Sequence, residues 1–144
     1  KVEFQLNDDR LNLMLVHGSP LDISEYLLED KDEESMIRMM EDADADILCF
    51  GHTHKPYHRI LNSGNEDNPY FRHAVNLGSV GKPKDNDIRG SYVILEIDEN
   101  ASVANKNSVS VEIVKFKYDI EKAAKAVENS ILPNSFAENL RNGY

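Results

Sequence analysis

The chain has 144 residues, 40% of them hydrophobic, which is enough for one compact unit that buries roughly two-thirds of its unfolded surface. A formal net charge of -10 repels a polyphosphate backbone and excludes nucleic-acid binding by general electrostatics, and no apolar run approaches the roughly 20 residues of a membrane span. Cys49 is the single cysteine, so there is no intrachain disulfide, and a reducing, cytoplasmic setting without a signal segment is expected.

In chain order, residues 2–6 alternate apolar and polar, Asn7-Asp8-Asp9 is turn chemistry, and residues 11–16 are dense in Leu, Met and Val. The opening therefore reads as a β-hairpin, whose second strand runs into His17-Gly18-Ser19-Pro20. A short helix is expected over residues 24–29. The acidic run 29–34 reads as a solvated loop and the negatively charged start of a longer helix, with Asp32 as N-cap and Met36, Ile37, Met39, Met40 and Ala43 at helical spacing as core packing. Residues 46–50 (DILCF) are short, apolar and bounded by turns, as in a buried strand that delivers Gly51-His52-Thr53-His54 to one end of a sheet. A strand at 57–61 and a polar hairpin loop at 62–69 follow, then strands at 70–75, 92–97 and 109–117, separated by a Gly-, Pro- and Asp-rich loop (78–90) and a polar turn (98–108). Asp119 is placed to cap a helix carrying Ile120, Ala123, Ala124 and Val127 on one face, and Pro133 separates it from a last helix ending near Gly143. The alternating order predicts an α/β (α+β) fold. With no repeat and no linker, residues 1–144 form a single unit with a helical tail at about 119–143.

In an extended segment His52 and His54 would project to one side, with Cα atoms roughly 6.6 Å apart. Two such imidazoles can serve two ions roughly 3.5–4 Å apart, the separation of two-metal hydrolytic sites. His17 also follows an apolar strand and precedes a Gly, so the strand ends carrying His17 and His52/His54 would share one rim of the sheet, where open α/β sheets place ligands. His58 and His73 lie within presumed strands and read as surface or packing residues.

Three stretches carry a resemblance: His17-Gly18-Ser19-Pro20, Gly51-His52-Thr53-His54-Lys55-Pro56, and Val75-Asn76-Leu77-Gly78-Ser79-Val80-Gly81-Lys82-Pro83. In this order and spacing they resemble the C-terminal motifs of the calcineurin-like metallophosphoesterases, in particular their small bacterial and archaeal phosphodiesterase branch. The tail Ile131-Leu132-Pro133 through Phe136-Ala137 and Leu140 resembles that branch as well. Leu77 stands where a Pro is usual and Lys84 where an Arg is usual. The resemblance implies the C-terminal half of a four-layer α/β/β/α sandwich. It also implies hydrolysis of a phosphodiester or phosphomonoester by a hydroxide activated on two divalent ions (manganese, nickel, iron or zinc). By carry-over His17 and His52 would bind one ion and His54 the other.

The family's first half supplies an Asp-x-His, a Gly-Asp and a Gly-Asn-His motif, none of which occurs in this chain. Three neutral ligands hold two dications poorly, so the chain alone is expected to be inactive and its missing half to be a partner, as a truncation or a separate polypeptide. Lys1 as first residue agrees with this. Asp44, Asp46, Asp85 and Asp87 are the local acids weighed as substitutes and set aside. Asn76, Ser79 and Lys82 lie in a Gly-rich loop suited to phosphate oxygens or, equally, to a tight turn. The expected substrate is a phosphoester small molecule, and a homo-oligomer is compatible with the sequence. Two other readings stay open. One is a non-catalytic interaction module, since a eukaryotic trafficking subunit shares this fold and acts through protein contacts. The other is a three-histidine site for one ion.

Overall fold

The computed structural model describes all 144 residues. Its main sheet has five strands in the order β1-β2-β3-β5-β4, formed by β1 (Val2–Gln5), β2 (Arg10–Leu15), β3 (Ile47–Phe50), β5 (Phe71–Asn76) and β4 (Tyr57–Asn62). β2, β3 and β5 run parallel, while β1 and β4 are antiparallel edges. Helix α1 (Glu33–Asp42) connects β2 to β3, and β6 (Gly90–Ile97) pairs with β7 (Val109–Phe116) in a separate ribbon. The chain ends in α2 (Ile120–Glu128) and α3 (Ser135–Asn142). This is the mixed α/β class expected from the sequence.

The period-two geometry of β3 explains its unbroken apolar sequence, because successive side chains leave opposite faces of the sheet. Leu48 and Phe50 join Met36, Met39 and Met40 of α1 in one core, with Leu27, Tyr57, Leu61 and Ala74. Ile47 and Cys49 join Leu11, Val75, Ala101 and Val109 in the other, beneath the β6–β7 ribbon. Both faces of β3 are therefore dry. β2 is covered only in part: Leu11 and Asn12 are buried but Leu15 is exposed. Burial pushes the Cys49 thiol up to about 11, which makes it a packing residue with little thiolate at neutral pH.

The caps fall where sequence placed them. The Asp32 carboxylate accepts from the Ser35 backbone N–H, and that of Asp119 from Lys122. Gly143 closes α3 in the left-handed conformation at φ 75°.

The expected helix over 24–29 does not form; the segment is an irregular loop. Contacts from β4 fix it instead: the Tyr57 hydroxyl donates to Leu27 O (2.9 Å), and the Arg59 guanidinium to Glu29 O (3.1 Å) and, just beyond the segment, to Lys31 O (2.6 Å). These bonds, with the full burial of Leu27 in the α1 core, hold the backbone as a loop, and tertiary context overrides a weak local helix propensity. No helix is long and apolar enough to cross a membrane.

Candidate functional site

The carboxyl ends of the three parallel strands meet at one edge of the sheet, and the ladder continues past them. Gly51 N–H donates to His17 O (2.9 Å), and Leu77 N–H to Phe50 O (2.8 Å). His17, the GHTH turn and the Gly78 loop thereby line one cleft of about 320 Å³, together with Val16, Val80 and Ser91. Open parallel sheets characteristically place ligands at this edge.

Within the cleft His17 Nε2 and His52 Nδ1 are 2.9 Å apart. That is a hydrogen-bond distance between the two rings; two nitrogens held at about 2.0–2.1 Å from one ion, at right to tetrahedral angles, would be about 2.9–3.4 Å apart, so the rings are near the separation of a shared ion. The Tyr26 ring lies against His52, with centroids 4.2 Å apart.

His54 is held differently. Its Nδ1 lies 2.7 Å from Lys82 O. A carbonyl can only accept, so Nδ1 carries the proton and Nε2 keeps its lone pair. Burial is the main influence on its protonation and lowers its pKa, against the opposing hydrogen bond to Lys82 O. The neutral, ligating form therefore persists to lower pH than for a solvated imidazole.

The turn is not the extended segment expected. His52 and His54 have φ of 62° and 61°, in the left-handed region that non-glycine residues rarely adopt, and simple alternation does not describe how they converge. Between them the buried Thr53 pins the turn. Its N–H donates to Gly51 O (2.7 Å), and its hydroxyl accepts from Lys55 N–H (3.1 Å) and from the Asn76 amide (2.8 Å). Strain at two chemistry-bearing residues one position apart persists only where the surroundings over-determine it.

Asn76 is fully buried. Its Nδ2 donates to Gly51 O (3.1 Å) as well as to Thr53, and its Oδ1 accepts from Gly78 N–H (2.9 Å). Both ends of the carboxamide are thus engaged within the chain. The Ser79 hydroxyl accepts from Lys82 N–H (3.0 Å), and the Lys82 ammonium lies 4.4 Å from the Phe136 ring centroid. Gly78 takes φ 73°, and a Cβ there would collide with the Ser91 hydroxyl and Pro56. Sequence reasoning passed over Thr53, Tyr26 and Ser91. A hydroxyl residue between two histidines was a readable signal for Thr53, while nothing local marked Tyr26 or Ser91.

The local acids are occupied elsewhere. Asp46 sits at the opposite end of β3, bonded to Asn12 N–H (2.8 Å), the Tyr70 hydroxyl (2.7 Å) and Arg72 (3.4 Å). Asp44 pairs with Lys1 (2.7 Å), Asp85 with Lys115 and Asp87 with Arg89 (2.7 Å). No group of three or more His, Cys, Asp and Glu side chains stands in a metal-holding arrangement. The donor set is three neutral imidazoles without a carboxylate, so these residues do not by themselves fit the two divalent ions that the sequence resemblance implies. His58 and His73, read as packing residues, face each other with Nε2 and Nδ1 3.0 Å apart, and His73 is buried.

The chain is 30% identical over 105 residues to the uncharacterized protein MJ0912 of Methanocaldococcus jannaschii, an alignment covering 66% of this chain and 38% of that protein. Its fold matches a metallophosphoesterase from Sphaerobacter thermophilus at TM-score 0.69 and 26% identity, over 92% of this chain and 56% of that one. It also matches the hypothetical protein PH1004 of Pyrococcus horikoshii at TM-score 0.65 and 16% identity, over 99% and 50%. The chain thus spans about half the length of these relatives or less. The family description "Calcineurin-like phosphoesterase superfamily domain" matches residues 1–100, which contain the strand-end histidines and the Asn76–Lys82 loop. The chain belongs to the calcineurin-like phosphoesterase superfamily.

Proposed function

We propose that the chain contributes the histidine side of a metal-dependent phosphoesterase site, with His17 and His52 directed to one divalent ion and His54 to a second. The carboxylate ligands would come from polypeptide outside these 144 residues. The observation that carries this reading is the convergence of three strand-end loops on one cleft, with His17 and His52 2.9 Å apart and His54 fixed as its Nδ1–H tautomer. Bound metals supply charge neutralisation and an activated water in such sites. This chain supplies position.

Asn76, proposed from sequence as a substrate contact, is read here as the brace of the turn. Ser79, which lines the same cleft, stays the candidate phosphate contact, whereas the Lys82 ammonium, proposed from sequence for the same role, is turned to the Phe136 ring. The exposed Leu21 and Ile23, in the loop after His17, and Val80 in the cleft suit packing by further polypeptide.

The same apolar side chains favour a second reading, an interaction module without turnover. One experiment separates the two. The chain alone, and the chain extended by a segment carrying the Asp-x-His, Gly-Asp and Gly-Asn-His motifs, are assayed for manganese content and for hydrolysis of bis(p-nitrophenyl) phosphate. The phosphoesterase reading expects background hydrolysis from the chain alone and metal-dependent turnover from the extended form. His17→Ala, His52→Ala and His54→Ala should each lower metal content and turnover in the extended form. Two ions per chain and turnover that survive all three substitutions would overturn the assignment.

A further inference from the structure

The C-terminal helices reach the histidine turn through one short segment, Lys82-Pro83-Lys84. On one side this segment clasps His54 at two points: Lys82 O accepts from His54 Nδ1–H (2.7 Å), and Lys84 N–H donates to His54 O (3.2 Å). Pro83 between them is fully buried. On the other side the same loop is gripped by α3. The Lys82 ammonium lies 4.4 Å from the Phe136 ring centroid, a cation–π distance, and Asn86 N–H donates to Gly143 O (3.0 Å). The helical pair is itself tied by Arg141 of α3, which bonds Glu121 (2.9 Å) and Glu128 (2.7 Å) of α2.

We infer that Phe136 is a positioning residue for His54. By holding Lys82 it holds the carbonyl that fixes the His54 ring, leaving Nε2 as the free nitrogen. The tail is then a buttress of the site, although it lies beyond the residues matched by the family description. The chemical purpose of this buttress rests on the reading of His54 as a ligand; the positional claim does not. The strain at His54, φ 61°, explains why an outside support is useful. A residue in the left-handed region returns to ordinary backbone unless its neighbours prevent it.

The test is made on the metal-free 144-residue chain, by long-range ¹H–¹⁵N correlation of the imidazoles, which reads each tautomer directly. In the native chain His54 should give the pattern of a single Nδ1–H tautomer. Phe136→Ala should move its two ¹⁵N shifts toward each other as the Nε2–H form becomes populated, leaving the His58 and His73 patterns in place. Phe136→Tyr, which keeps an aromatic face, should retain the native pattern. An unchanged His54 in Phe136→Ala, or equal movement of His73, would overturn the inference. If Phe136→Ala detaches the whole helical pair, seen as lost amide protection at Ala124, Lys82→Met decides. It keeps the carbonyl and the apolar stem but lacks the ammonium, so a native His54 pattern there would also overturn the inference. Absence of turnover in any assembled form leaves these spectra unaffected, so failure of the phosphoesterase reading is distinguishable from failure of this one.

Discussion

The two ends of β3 lie only a few residues apart and are built on opposite terms. At the amino end the buried Asp46 carboxylate accepts from Asn12 N–H, the Tyr70 hydroxyl and the Arg72 guanidinium, while Arg72 also donates to Ala45 O (2.7 Å). Every strong group there is paired within the chain. At the carboxyl end two histidines occupy left-handed backbone, three imidazoles meet without a carboxylate, and one ring nitrogen of His54 has no partner. The amino end is a closed polar network, whereas the carboxyl end leaves imidazole nitrogens open on strained backbone. The same strand therefore joins a closed polar network at one end to an open histidine edge at the other.

The comparison predicts unequal responses to substitution. The largest loss is expected at the closed end. Asp46→Ala strands Arg72, Tyr70 and Asn12 N–H in buried surroundings and should lower unfolding stability by about 3–5 kcal/mol in urea titration. His17→Ala, on the exposed rim, should stay within about 0.5 kcal/mol of the parent. A His17→Ala loss equal to that of Asp46→Ala would break the contrast.

The next effect is that of acid. Burial is the main cause that lowers both histidines of the His58–His73 pair, and it takes His73 down to about 4. Unfolded histidine titrates near 6.5. Between these values the native state binds fewer protons than the unfolded chain, so stability is complete above about pH 6.5 and is lost as pH falls toward 4. His73 contributes up to about 3 kcal/mol of this loss. Unfolding curves at pH 7, 5.5 and 4.5 should show it, and His73→Gln should flatten the profile relative to the parent.

The smallest effect sharpens the strained end. His54→Gly and His54→Ala lose the same bond to Lys82 O, but only glycine accepts φ 61° freely. The glycine variant should be more stable than the alanine variant by about 1 kcal/mol in thermal unfolding. Equal stabilities would mean that the turn relaxes once the imidazole is gone.

Much of this arrangement was legible because it follows from local pattern. Alternation at Val2–Gln5, the Met36–Met40 spacing, the Asp32 and Asp119 caps and the strand-end histidines each carry their meaning within a few residues. What escaped depends on partners distant in sequence. The loop at 24–29 is held in place by Tyr57 and Arg59, which reach Leu27 O, Glu29 O and Lys31 O from β4, and by the burial of Leu27 in the core. The histidine turn leaves the extended conformation because Asn76 reaches Thr53 and Gly51 from a neighbouring strand. Asp46, placed at the start of a buried strand and weighed as a spare acid, is a buried anchor because Asn12, Tyr70 and Arg72 converge on it. Residue type announced the chemistry of the edge, and register decided which side chains serve it.

The strand order β1-β2-β3-β5-β4 also sets a timetable for folding. β4 and β5 are sequence neighbours joined by a short loop, and such hairpins close in microseconds. β5, however, pairs in parallel with β3, which β4 does not touch in the ladder, so a hairpin that forms first is expected to dock with its later strand inward. Non-local parallel pairing of this kind is slow, because loop closure precedes its reward. The GHTH turn joins β3 to that hairpin and is its pivot, and its left-handed shape is held through the Asn76–Thr53 bond from β5. Substitutions in the pivot should therefore act mainly on the rate of unfolding, and substitutions within the β4–β5 hairpin on the rate of folding.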